Sequence, residues 1–246
     1  QELENHKNKS EDTKDINKFE QKKILKEAFY LKENGDYNQA IEILKKSLLN
    51  NSSNFDLNVL LSHCYLLNND LGNASFYLEK SKKLKPNSPS VLWNDIRILL
   101  KKKNYNKALN IAINTNKLFP NDIEGIGILG ACLFANNRME ESLFYLDLAI
   151  EKNPDYAEAY INRGQIKLIR TNRNGALTDL EKAHNLKPHL KQIWDQLISL
   201  LIEEERFIDS IKYLMNMIKI DPKYKKDFIF ISFCNQKIDN TDLAIK

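Results

Sequence analysis

Residues 157–190 read AEAYINRGQIKLIRTNRNGALTDLEKAHNLKPHL, a stretch of 34 residues that contains one proline. That proline belongs to a series in which each member follows the previous one after 34 residues: Pro86, Pro120, Pro154, Pro188 and Pro222. The chain has 6 prolines in total, so all but one obey the period. A fixed period of this length is typical of proteins assembled from stacked structural repeats.

Placing each proline at position 32 of a unit divides the chain into six units of equal length and an unfinished seventh. The predicted units are 21–54, 55–88, 89–122, 123–156, 157–190, 191–224 and the partial 225–246. We predict one repeat array over 19–246. Residues 1–18 are charged and contain few apolar side chains, so we expect a disordered or frayed tail there.

Small residues recur at position 20 of the units, where the sequence has Ala40, Ala74, Ala108, Ser142, Ala176, Ser210 and Ala244. A small residue repeated on one helical face lets a neighbouring helix approach closely. Apolar residues recur at steps of three and four on both sides of a short polar break, such as Asn34-Gly35-Asp36. This pattern predicts a helical hairpin in each unit, and no stretch shows the sustained alternation of a strand.

These units resemble tetratricopeptide repeats. Unit five carries the family pattern at Tyr160, Gly164, Ala176, Leu180, Ala183 and Pro188. Single units depart from it, because Ser52, Lys167 and Asn58 stand where the family has a proline or a bulky residue. The resemblance implies an all-α fold, a right-handed superhelical solenoid of antiparallel helix pairs.

In the resembled family, one face of each first helix lines a concave groove that binds peptides. Unit positions 2, 5, 9 and 12 share that face, with positions 6 and 13 at its edges. Trp93 falls on it and is expected to look into the groove, whereas Trp194 is expected in the core. The predicted groove residues are Val59, His63, Leu66, Leu67, Trp93, Asn94, Arg97, Gly127, Ile128, Phe134, Ile161, Asn162, Gln165, Leu168 and Ile169.

The leading hypothesis is a non-enzymatic scaffold for protein–protein interaction that holds a helical or extended apolar peptide segment in this groove. The alternative is a module that self-associates or docks within a larger polypeptide or an envelope assembly complex. The crowded apolar residues of the partial unit, such as Phe230 and Phe233, favour this alternative, since terminal repeats normally present a polar outer face. We expect either that the native chain continues or that another molecule covers this end.

The sequence motifs that could indicate a cofactor site or a reactive residue are explained by helix packing. The run Gly125-Ile126-Gly127-Ile128-Leu129-Gly130 matches a dinucleotide fingerprint, but it lies inside a predicted helix with no preceding strand. We interpret Gly127 as a shallow floor that a ligand backbone could approach. Cys64, Cys132 and Cys234 occupy the same unit position, whole repeats apart, and are predicted to be small core residues. No catalytic residue, metal ligand set or cofactor is predicted.

Charge and hydropathy limit the classes of partner that we expect for this chain. The net charge of +4 is spread along the chain, so we expect a protein or peptide partner and no nucleic acid. No apolar run approaches the roughly 18 residues of a membrane span. The sequence begins with Gln1 rather than Met, which we interpret as a trimmed chain. The expected location is cytoplasmic by default, and a bacterial periplasm or envelope fits equally if a leader was removed.

Overall fold

The computed structural model describes residues 19–50, 52–190, 193–221 and 226–244 of the 246-residue chain. Within these ranges the backbone forms helices and no strand, which confirms the all-α prediction. The chain separates into two compact units, Gln1–Phe119 and Pro120–Lys246, called here the N-terminal and C-terminal units. The tail predicted for residues 1–18 lies outside the described residues, and the repeat boundaries remain a prediction.

The N-terminal unit contains three helix pairs. Its helices are α1 (19–33), α2 (Tyr37–Asn50), α3 (Phe55–Leu67), α4 (Leu71–Leu84), α5 (Pro89–Lys101) and α6 (Tyr105–Leu118). Each pair consists of a first and a second helix joined by three residues. Helix α3 packs against α2, α4 and α5, so neighbouring pairs stack on one another.

The C-terminal unit repeats this arrangement. Its helices are α7 (Ile123–Ala135), α8 (Met139–Lys152), α9 (Ala157–Ile169), α10 (Arg173–Leu186), α11 (Trp194–Glu203), α12 (Phe207–Ile220) and α13 (Lys226–Ala244). Helix α9 contacts α7, α8 and α10, and α13 packs against α12. The first helices α3, α5, α7 and α9 begin 34 residues apart, in step with the prolines.

Every three-residue turn inside a pair has the same backbone conformation. Its middle residue has a positive φ, between 57° and 85°, and these residues are Gly35, Asn69, Lys103, Asn137, Thr171 and Glu205. In the second pair, Asn69 N donates to Leu66 O at 3.1 Å and Asp70 N donates to Tyr65 O at 2.9 Å. This pair of bonds is the Schellman motif, which ends a helix at a left-handed residue and turns the chain back.

The two helices of a pair meet at unit positions 8 and 20. Ala40, Ala74, Ala108, Ser142, Ala176 and Ser210 at position 20 are all fully buried. Ser62 Oγ donates to Ala74 O at 2.8 Å, and Ser142 Oγ donates to Gly130 O at 2.8 Å. The small residues therefore let one helix approach the backbone of the other, as the sequence pattern predicted.

Gly127 does not form an open floor for a ligand, so that expectation was wrong. A Cβ atom built on Gly127 would lie 2.1 Å from Cε1 of Tyr156, because the Tyr156 ring occupies the space above the glycine. Tyr156 directly precedes α9, so the end of the segment that joins this helix pair to the next fills the position. The glycine run thus serves packing: a Cβ on Gly130 would likewise meet Leu146 Cδ2 at 2.9 Å.

Replacing Thr171 by Asn should stabilise the protein. Thr171 is β-branched and has φ 60°, a conformation that Asn adopts more readily. We expect the free energy of unfolding in urea to rise by about 1 kcal/mol. The same change at Thr178, which lies inside α10, should be close to neutral because Thr and Asn have similar helix propensities. Equal effects at the two sites would contradict the turn geometry.

Replacing Gly127 by Ala should destabilise the C-terminal unit despite the higher helix propensity of alanine. The new methyl group would overlap the Tyr156 ring, and overpacking costs about 1–3 kcal/mol. The matched control is Gly72→Ala in α4, where the nearest atom lies 3.6 Å from the new Cβ. That variant should gain up to about 1 kcal/mol. Urea unfolding of both variants checks the opposite signs, and a gain for Gly127→Ala would refute the packing role.

Candidate peptide-binding surface

The first helices of the N-terminal unit leave part of their predicted groove face accessible. On α3, Val59 and His63 are half-buried and Leu67 is 39% exposed, whereas Leu66 is buried. On α5, Arg97 is half-buried. Accessible residues therefore lie mainly toward the C-terminal half of each first helix.

Trp93 does not look into an open groove, so this expectation was wrong. Its side chain is 1% exposed, and the neighbouring Asn94 is 2% exposed. Asn94 Nδ2 donates to Val59 O at 3.2 Å, which shows how closely α5 approaches α3. Because consecutive first helices pack this tightly, large side chains near their N-terminal ends are covered. A Trp93→Ala change would therefore report on stability rather than on peptide contact.

The C-terminal unit shows the same division. Gly127, Ile128 and Ile161 are buried. The accessible predicted residues of this unit are Phe134, Asn162, Gln165 and Leu168, which are half-buried, and Ile169, which is 56% exposed. We call these five residues the α9 surface; four lie on α9, and Phe134 lies on α7, which contacts α9.

Amide groups border the apolar part of the α9 surface. Asn162 Nδ2 donates to Glu158 O at 3.0 Å, which holds the amide against its own helix. Gln165 Nε2 donates to Gln196 Oε1 at 3.4 Å, so α9 and α11 approach each other here. Gln196 occupies the same unit position as Asn162. Among the described residues, nothing donates to the side-chain carbonyl of Asn162 or Gln165, and both can accept hydrogen bonds.

A buried ion cluster in the C-terminal unit was not predicted. Asp179 is 2% exposed and accepts two bonds from Arg163, at 2.9 and 2.7 Å. Lys167 Nζ lies 2.8 Å from the same carboxylate, and Arg163 also bonds Asp147 at 2.6 Å. The hydrogen bond to Asp179 raises the pKa of Arg163, which stays charged. The sequence held one indication of this cluster, because Lys167 stands at a position where the family has a bulky residue.

A cleft of about 390 Å³ opens beside this cluster. Its lining includes Arg163, Lys167 and Arg170, but each cation already has an acidic partner; Arg170 pairs with Glu140. The balanced charges give an added anion little attraction, because a ligand would have to displace a carboxylate. We therefore interpret the cluster as a structural replacement for apolar contacts between α9 and α10.

The cysteine and histidine side chains occupy packing positions. Cys64, Cys132 and Cys234 are free thiols, each 0% exposed. Burial raises the pKa of Cys64 and of Cys132 to about 12, so neither is a reactive thiolate near neutral pH. His184 is 3% exposed and packs edge-on against Tyr213, with 5.1 Å between ring centroids; burial lowers its pKa.

Neither a cluster of metal ligands nor a membrane-spanning helix occurs in the described part of the chain. No group of three or more His, Cys, Asp or Glu side chains there is arranged to hold a metal ion. No helix in those ranges has both the length and the apolar character that crossing a membrane requires.

Comparisons with known proteins identify the repeats. The tetratricopeptide repeat family model matches residues 31–93. A DnaJ homolog subfamily C member 7 homolog of Dictyostelium discoideum is 22% identical over 166 residues, which are 61% of this chain and 31% of that protein. The chain thus corresponds to less than a third of this relative.

Two solved structures share the fold. A thermophilic tetratricopeptide-repeat protein from Thermus thermophilus aligns with a TM-score of 0.62 and 20% identity, over 74% of this chain and 100% of that one. Human IFIT1, solved as a dimer with m7Gppp-AAAA, aligns with a TM-score of 0.66 and 11% identity, over 79% of this chain and 49% of that one. With its paired helices and 34-residue period, the chain therefore has the tetratricopeptide-repeat fold, with about six repeats and a partial seventh.

Proposed function

We propose that this protein is a non-enzymatic interaction scaffold that binds an apolar peptide segment, helical or extended, on the α9 surface. The tetratricopeptide-repeat fold is that of a protein–protein interaction scaffold, which supports the general role. Two observations carry the specific site. Leu168, Ile169 and Phe134 stay accessible near the C-terminal ends of α9 and α7, two helices in contact. The side-chain carbonyls of Asn162 and Gln165 have no donor among the described residues.

The apolar side chains supply the affinity in this proposal. Ile169 is 56% exposed, and covering an isoleucine side chain is worth about 1.5–3 kcal/mol when it is fully removed from water. Leu168 is half-buried against the core cluster of α9–α12, so it is already held in place and loses little side-chain entropy on binding.

The amides supply orientation. Asn162 and Gln165 are three residues apart on α9 and therefore share one face of the helix. Their side-chain oxygens can accept hydrogen bonds from the backbone N–H groups of a peptide. These N–H groups are available in an extended peptide, because in a helical one they are bonded within the helix. Polar groups fixed in this way add specificity to an otherwise apolar contact.

The test replaces Ile169 by Asp and measures binding to an array of immobilised apolar peptides. A charge at this position should weaken capture of the bound peptides by about 2 kcal/mol, as expected for a contact at the centre of an interface. The matched control is Ile208→Asp on α12, since Ile208 is 73% exposed and lies on a second helix. Equal loss in the two variants, or no peptide bound by the wild-type chain, would refute the proposal.

A second candidate function, self-association, is favoured by helix α13. Ile229 is 74% exposed and Phe233 is 39% exposed, four residues apart and so on one face of the helix. Two such faces could pack against each other in a symmetric dimer.

Sedimentation velocity over a wide range of protein concentration separates this candidate from the first. Self-association through α13 predicts a mass that rises with concentration and returns to that of the monomer in Ile229→Asp. A monomer at every concentration would contradict it, and Ile208→Asp again serves as the control for a charge on an exposed isoleucine.

A further inference from the structure

A cleft of about 580 Å³ lies between the second helices α2 and α4 of the N-terminal unit. From Asn38 to Leu49 its lining residues follow α2 for about three turns, or roughly 16 Å, and Tyr77 and Lys80 of α4 form the opposite side. This α2–α4 cleft lies on the second helices, whereas the predicted groove residues lie on first helices. It also belongs to the other unit from the α9 surface.

The floor of the α2–α4 cleft is apolar and fixed. Ile41 and Leu48 are each 8% exposed and belong to the core cluster of this unit. Tyr77 stacks on Tyr65 with 5.6 Å between ring centroids, which holds the wall in place. Leu49 is 85% exposed, the largest exposure among the large apolar side chains that the structure describes.

The rim is basic. Lys45, Lys46 and Lys80 line the cleft together with one acidic residue, Glu42. Glu42 is already paired with Lys46 at 2.7 Å. Lys80 lies over the rings of Phe76 and Tyr77, at 4.7 and 5.3 Å from their centroids, and Lys45 has no acidic partner among the described residues. The cleft therefore combines an apolar floor with two positive charges that carboxylates could pair with.

The exposed leucine of the cleft is particular to the first helix pair. Leu49 occupies unit position 29, and the other units have a polar or charged residue there: Lys83, Lys117, Glu151, Asn185 and Lys219. Stacking of repeats does not require a leucine at that position, because five other units do without one. Leu49 is thus an apolar side chain that the fold itself does not use.

We propose that the α2–α4 cleft binds an acidic amphipathic helix of a partner protein. The cleft is long enough for about three helical turns, and an amphipathic helix presents apolar side chains at steps of three and four. Acidic residues beside that apolar ridge would pair with Lys45 and Lys80. A concave cleft with a buried floor fits a helix better than it fits the flat surface of a membrane.

The probe is a synthetic helical peptide of about 14 residues, with leucines at steps of three and four and glutamates beside them. A second peptide carries lysine in place of every glutamate. Fluorescence anisotropy should show that the glutamate peptide binds at least about tenfold more tightly than the lysine peptide. Added salt should weaken the binding of the glutamate peptide, because the lysine contacts are near the surface.

Variants locate the binding. Leu49→Asp and Lys45→Glu should each weaken binding of the glutamate peptide by about tenfold or more, since one removes the apolar contact and the other reverses a rim charge. Their controls are Leu118→Asp and Lys83→Glu, which make the same changes at exposed positions of the N-terminal unit outside the cleft. Both controls should change the affinity by less than about twofold.

The proposal is overturned if the two peptides bind equally, if neither binds, or if the controls lose as much affinity as the cleft variants. It is also overturned if phosphatidylserine vesicles bind in a Leu49-dependent manner while the glutamate peptide does not. Leu49→Asp changes the α2–α4 cleft alone and Ile169→Asp changes the α9 surface alone, so testing both variants with this peptide distinguishes a failure of the cleft from a failure of the α9 surface.

Discussion

The close contact between the two helices of each pair governs the remainder of the structure. Ser62 Oγ reaches Ala74 O from the first helix, and Ser142 Oγ reaches Gly130 O from the second, each at 2.8 Å. The donor changes sides, but the same two unit positions are joined. A serine hydroxyl can reach the carbonyl of the facing helix only if the two helices lie close together, which requires small residues at both positions. This separation of the paired helices then determines which other side chains can be in contact.

Close stacking also decides where the molecule can meet a partner. It covers most of the predicted groove residues in the N-terminal halves of the first helices, so that Trp93 and Ile161 become part of the interior. The C-terminal halves remain accessible, as Leu168 and Ile169 show. The second helices keep an outward face, and there the choice of side chain, leucine rather than lysine at residue 49, distinguishes one pair from the next.

The resemblance to tetratricopeptide repeats implied the solenoid. Periodicity alone was sufficient to predict the paired helices, because the small residues at position 20 report on packing within a pair and the prolines mark the end of each second helix. It could not predict which groove residues are covered, since Trp93 depends on the distance between neighbouring pairs and Gly127 on the ring of Tyr156. The left-handed residues of the turns could be predicted only in part. Gly35 indicates a left-handed residue, whereas Glu205 adopts φ 57° with no sign of it in the sequence.

The buried cysteines give each unit an internal reporter of its own integrity. Cys64 lies in the N-terminal unit and Cys132 in the C-terminal unit, both without solvent exposure and both with a pKa of about 12. An alkylating reagent can reach either sulfur only after the surrounding helices separate, and the freed thiol then ionises more readily. The rate at which each cysteine is modified therefore measures how often its repeat opens, independently of events in the other half of the chain.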